Sequence, residues 1–322
     1  MATHSTFVNT DWLASHRSPA TASRQRGRRS PSATAAVALV VWSILLGWTH
    51  PTRGGQLAPP PQRIVTVIPA VTEILFAVGA DAQIVGIGSF DELPAGAAEI
   101  ARVGGLLDPD MEQILALRPD LVVLYESQTE QAEQLQRAGI PLMSYSHAGL
   151  ADIVTTIRSL GERTGHLTQA TSVATRLTQR LDAVRARVRG RPRPRTLLVF
   201  SREPLSLRNT YASGGIGFLH DMLDVAGGDN VFADIADERV AQLSAEAILT
   251  AAPTVILEIR NDGGFGVDIA EQERAVWRSL PAVPAVVRDE IHFLAGSEFV
   301  VPGPRVVDAI EQIARLLHPD AF

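Results

Sequence analysis

The chain has no cysteine and no lysine among its 322 residues. Without cysteine there are no disulfides, thiolate metal sites, cysteine nucleophiles or lipid attachment through an N-terminal cysteine. Without lysine there is no Schiff-base catalyst and no phosphate loop of the Gly-Lys-Ser/Thr kind. A Gly-x-Ser-x-Gly nucleophile elbow is also missing. Positive charge is scarce beyond residue 58, with 23 arginines against 34 acids, a net of about −11. That balance argues against a nucleic-acid partner.

What the chain does have is a long amphipathic stretch from His166 to Gly190. Apolar residues at Val173, Leu177, Leu181, Val184 and Val188 draw a single stripe at helical spacing. Arg176, Arg180, Arg185, Arg187 and Arg189 lie off it, and Gly190, Pro192 and Pro194 end it. A helix of about 22 residues spans roughly 33 Å, the width of a small domain. On either side stand related segments. Met111–Leu124 and Ala245–Glu258 share Glu, Ile-Leu, Pro and an aliphatic triplet at a constant offset of 134. Each reads as a short helix, a proline turn and a buried strand. A second echo relates Gly139–Met143 to Ala282–Val286. A period this long indicates a duplicated domain and not a solenoid.

The expected fold is therefore α/β, two Rossmann-like lobes with mostly parallel sheets joined by one long rigid helix. The expected units are 1–58, an export signal or membrane anchor plus Pro-rich spacer; 59–165, the N-terminal lobe; 166–190, the connecting helix; and 191–322, the C-terminal lobe. In the first unit Arg24, Arg26, Arg28 and Arg29 precede a hydrophobic run from Ala33 to Trp48. That layout suits export, with the folded part outside the cytoplasmic membrane whether or not the segment is cleaved.

Strands are expected at Ile64–Ile68, Ile84–Ile87, Leu121–Leu124, Pro141–Tyr145, Thr196–Phe200, Val255–Glu258 and Ile291–Leu294. Helices are expected after Thr72 as a cap, over Leu150–Thr164, Ile216–Val225 and Arg305–Leu317. Ser201–Tyr211 reads as a polar loop. Sites in such folds lie at strand C-terminal ends. The glycine cluster Gly214-Gly215-Ile216-Gly217 stands about a dozen residues after its strand, too far for a dinucleotide fingerprint. No two histidines pair at metal-ligand spacing on one helix, although His147 and His292 each lie near a strand and keep a split site for a bare divalent metal open. The loops after strands carry Phe90, Tyr125, Arg202, Arg208, Tyr211, Arg260, Glu298 and Phe299. Aromatics and arginines without an acid–base pair suit binding a large, partly anionic ligand and not converting it.

Several motifs, in order, resemble one family. They are Arg63–Gly79 (RIVTVIPAVTEILFAVG), Arg102-Val103-Gly104-Gly105, Ile114–Val122 (ILALRPDLV) and Gly227–Phe232 (GGDNVF). The chain from about Arg63 onward is similar to the periplasmic binding proteins for vitamin B12, ferric siderophores and haem. The resemblance implies two lobes bridged by a rigid helix, a non-enzymatic extracytoplasmic receptor, no cofactor, and delivery to an ABC importer permease in the inner membrane. It implies a corrinoid ligand first, a ferric siderophore or haem as the alternative; a bare divalent metal and an α/β enzyme rank behind. Leu106, Tyr125 and Val240 stand near positions where B12 binders place aromatics, and Arg202 and Arg260 would meet a ligand's acids. Glu73 and Glu246 match the glutamates that dock each lobe on permease arginines. A single bridging helix also implies only a small change of shape on binding.

Overall fold

The computed structural model describes residues 59–94, 97, 99–236, 239–260 and 267–322, the side chains of 267 and 268 excepted. The expected export segment and the loop Asn261–Gly266 lie outside the described residues. The N-terminal half runs β1 (Ile64–Thr66), α1 (Pro69–Ala77), β2 (Ile84–Ile87), β3 (Ala101–Arg102), α2 (Met111–Ala116), β4 (Leu121–Tyr125), α3 (Thr129–Arg137), β5 (Leu142–Tyr145) and α4 (Leu150–Thr164). Next comes α5 (Leu167–Val188). The C-terminal half runs β6 (Arg195–Ser201), β7 (Thr210–Ser213), α6 (Phe218–Val225), β8 (Asp229–Asn230), β9 (Val240–Leu243), α7 (Ala245–Ala251), β10 (Val255–Arg260), α8 (Val267–Trp277), α9 (Pro284–Val287), β11 (Ile291–Ala295) and α10 (Val306–Leu317).

The first sheet has the order β3-β2-β1-β4-β5 and is parallel throughout. The second has the order β11-β10-β6-β7-β9, with β8 beside β6. Here β7 runs antiparallel to both β6 and β9. It occupies the end of the stretch expected to be a loop. Its residues, Thr-Tyr-Ala-Ser, lack an aliphatic run, so only pairing with distant strands makes them a strand.

The 134-residue repeat extends beyond the residues that revealed it. Asp110 caps α2 by accepting from the Gln113 amide at 2.9 Å, and Ser244 caps α7 by accepting from the Ala247 amide at 3.2 Å. Both helices end in a left-handed residue before proline, Arg118 at φ 48° and Ala252 at φ 45°. The next strand in each half sits inside its sheet, β4 between β1 and β5, and β10 between β6 and β11. The second echo does not hold. Leu142 and Met143 open β5, whereas Pro284 starts the helical turn α9, its fixed φ suiting a first helical position.

The stripe of α5 is buried along its length. It packs against α4 and α10. One apolar cluster accordingly runs from the first sheet through α4 and α5 into α6 and α10. A second cluster, around Trp277, covers part of the second sheet. At α1 the expected cap is absent. The helix begins at Pro69, and the Thr72 hydroxyl donates instead to Asp91 Oδ2 at 2.6 Å. That bond positions the first loop of the site.

Candidate functional site

After β2 the chain turns outward through residues 88–92. Asp91 anchors this turn from inside, its Oδ2 accepting from the Thr72 hydroxyl at 2.6 Å and the Gly88 amide at 3.1 Å. Burial pushes the Asp91 carboxyl above its ordinary range, against the pull of those hydrogen bonds. Arg102 Nη1 donates to the Gly88 and Asp91 carbonyls, each at 2.8 Å. With Asp91 held in, Phe90 is left 81% exposed. Its ring lies over Gly105, where a Cβ would come within 3.2 Å of it. Next door, the Leu106 carbonyl accepts from Gln128 Nε2 at 2.8 Å, and Gln128 Oε1 accepts from the Tyr125 amide at 2.9 Å. Phe90 thus lies against Gly105, and Gln128 ties the Leu106 and Tyr125 backbones together beside it. The anchor Asp91 was not singled out in the sequence, where it is one acid in a polar loop.

Tyr125 meets Tyr145 edge to face at 5.0 Å, and its Oη lies 3.3 Å from His147 Nδ1. The His147 ring in turn lies 6.2 Å from Phe218, the first residue of α6 in the other half. Burial pushes the Tyr125 phenol up to about 12. Burial, then Arg239, holds His147 below its ordinary value. At neutral pH a protonated phenol therefore faces a neutral imidazole. Among the described residues no three His, Cys, Asp or Glu side chains come together to hold a metal ion, so the bare-metal reading finds no site there.

Opposite Phe90 stand Ser297, Val300 and Val301 of the C-terminal half, enclosing a cavity of about 210 Å³ with Pro69, Glu73 and Glu92. Phe299, expected in the cleft, is fully buried, because the turn Ser297–Phe299 points its ring into the core. Glu298 faces Arg305 and Gln312. Tyr211 is half-buried in β7 opposite Gln242, and Arg208 is an exposed partner of Glu203 at 2.9 Å.

Arg202 and Arg260 do not reach toward this cavity. Arg202 lies 3.1 Å from Glu258 and 2.7 Å from Glu273, and Arg260 lies 3.0 and 3.2 Å from the same two carboxylates. Both glutamate side chains are 1% exposed, and that of Arg202 is fully enclosed. Trp277 Nε1 adds a bond to Glu258 Oε2 at 2.8 Å. The two guanidinium groups expected to meet a ligand's acids are thus paired with two carboxylates of the C-terminal half.

The remaining expected residues lie at the edges. Glu246, in the first turn of α7, is exposed, and its carboxylate is held below its ordinary range by its own amide and the Ser244 hydroxyl. Glu73, on α1, is ion-paired with Arg305 across the two halves. Arg305 Nη2 also donates to Ser297 Oγ at 2.8 Å, and Ser297 Oγ donates to Glu92 at 2.6 Å. Burial raises the Glu73 carboxyl despite Arg305. A raised folded-state pKa means that the folded chain binds this proton more tightly than the unfolded chain. The associated stability is full below the ordinary 4.5 and is lost as pH rises through the folded value. Glu73→Gln removes that titration, so the Tm of the variant relative to the native chain is expected to rise as pH goes from 4.5 to 7.5. Melts of both chains across that range measure it.

The chain belongs to the periplasmic binding protein family, whose pattern matches residues 64–284. The family consists of substrate-binding transport proteins and not of enzymes, and membership implies an extracytoplasmic location. The vitamin B12-binding protein of Yersinia pestis is 27% identical over 263 residues, 80% of this chain and 87% of the relative. Among solved structures, the periplasmic vitamin B12 binding protein BtuF of Vibrio cholerae superposes with a TM-score of 0.69 at 25% identity, covering 82% of this chain and 99% of that one. The periplasmic haem binding protein HutB of Vibrio cholerae has a TM-score of 0.70 at 22% identity over 80% and 99%, a likeness of fold.

Proposed function

We propose that the protein is a receptor that binds a corrinoid of the vitamin B12 type and delivers it to an ABC importer permease, without catalysing a reaction. The observation that carries this reading is the exposed Phe90 ring over Gly105, beside Leu106 and Tyr125 joined through Gln128, a proposed wall, while Arg202 and Arg260 are occupied elsewhere. A large macrocycle with a broad uncharged face suits an apolar and aromatic wall. An anionic ferric siderophore would draw on cleft arginines, and here Arg202 and Arg260 are neutralised, which leaves Arg239, whose charge acts on Tyr125 and His147. The relatives named for vitamin B12 support the same choice.

In this reading 59–165 and 191–322 act as two lobes, with 166–190 as the element between them. Glu73 and Glu246 are the docking carboxylates, one on each half. Absorbance titration of purified protein with cyanocobalamin, haemin and ferric siderophores tests the ligand. Saturable spectral change with cyanocobalamin is expected; binding of haemin or a siderophore in its place would overturn the corrinoid assignment.

Tyr125→Ala and Phe90→Ala are each expected to weaken cyanocobalamin binding by about 0.5–2 kcal/mol, the range for an aromatic contact. Calorimetric titration of each single variant measures this. Unchanged affinity in both would remove the proposed wall.

A further inference from the structure

The Glu73 carboxylate, one of the two proposed for docking, is already taken. Arg305, from the other half, pairs with its Oε1. Gly303 lies over its Oε2, where a Cβ would come within 2.5 Å. Oε2 is buried and has no hydrogen-bond partner. The Glu73 side chain is 14% exposed, against 43% for Arg305. Arg305 is also within 3.9 Å of Glu92 and 3.7 Å of Glu298, so three carboxylates share this guanidinium. A cavity of about 400 Å³, lined by Phe76, Leu93 and Pro304 as well as Glu73, Glu92 and Arg305, opens at the same place.

Resting on the docking role proposed for Glu73, we infer that Arg305 occupies, in the free protein, the place that a docking partner's cationic side chain must take. Closure of the halves over Glu73 and docking on Glu73 are then alternatives. An ionised carboxylate covered by the opposite half needs a counter-ion, and Arg305 supplies it. A partner arginine or lysine that pairs with Glu73 removes that need. It frees Arg305, and with it the Ser297–Glu92 bond across the mouth. Docking on this half then favours parting of the halves over bound ligand, because both events draw on one carboxylate.

The absence of cysteine makes a clean test possible. Spin labels at Gln136→Cys and Arg288→Cys, both exposed and one in each half, report the separation by double electron–electron resonance. At pH 7.5 the labelled chain should give one short distance. Arg305→Ala should move most of the population to longer distances. Adding Glu73→Gln should bring it back, since the carboxylate that Arg305 pairs with across the halves is then neutral. An unshifted Arg305→Ala distribution overturns the inference. So does a double variant as separated as Arg305→Ala alone, which would reduce Arg305 to a packing residue. If Arg305→Ala fails to fold, Arg305→Gln replaces it with the same expectation, and Arg305→Lys, which keeps the charge, should hold the short distance. The docking reading is checked apart, by cyanocobalamin uptake into vesicles carrying the importer. Normal delivery by a closed Glu73→Gln chain would overturn the competition while leaving Arg305 as the closing counter-ion.

Discussion

Glu258→Ala should destabilise the protein by about 3–5 kcal/mol, the usual cost of breaking one member out of a buried charge network. The loss is large against the roughly 5–15 kcal/mol that holds a typical domain folded. Glu258 is the acceptor for Arg202, Arg260 and Trp277 at once. Without it two guanidinium groups share Glu273, and Arg202 has no access to water. The indole of Trp277 loses its partner inside the second apolar cluster. The exposed pair Arg208–Glu203 is the control, because surface pairs contribute about 0–1 kcal/mol, and Arg208→Ala should change little. Urea denaturation of both variants measures the difference. Equal midpoints would mean that the buried charges are not coupled to folding.

The second large effect concerns delivery. Glu73→Ala with Glu246→Ala should leave cyanocobalamin affinity intact and lower uptake in reconstituted vesicles by roughly tenfold or more, if each carboxylate meets an arginine in a partly desolvated interface. Glu246 is exposed and ready, whereas Glu73 must first exchange Arg305 for its partner. Glu112 is the repeat counterpart of Glu246, equally exposed in the first turn of α2, and Glu112→Ala should affect neither binding nor uptake. Normal uptake by the double variant, or loss of ligand binding along with it, would remove the docking role.

The parts of the fold that depend on neighbours in sequence were legible. The stripe of α5 and the repeated helix–proline–strand unit are local patterns, and the structure adds matching caps and left-handed turns to the repeat. What depends on distant partners was not. The short polar strand β7 exists through its pairing with β6 and β9. Arg202 follows β6, as cleft residues do, yet its partners Glu258 and Glu273 come from β10 and α8, and no spacing announces that meeting. Arg260 closes β10 on the same face as Glu258, two residues away. Phe299 was read as a cleft aromatic because it stands beside Glu298 in a loop, but a short turn directs it inward. Phe90 was read the same way and is exposed, because Asp91 beside it takes the buried position. Thr72 stands where a helix cap is expected and is instead that aspartate's partner.

The most direct test is calorimetric titration of cyanocobalamin into the native chain and into the Phe90→Ala, Tyr125→Ala double variant. Saturable binding at one site per chain is predicted, weakened in the double variant by roughly five- to a hundredfold, with both proteins melting alike. No heat with the native chain, or undiminished binding by the double variant, would contradict a corrinoid receptor built on this wall.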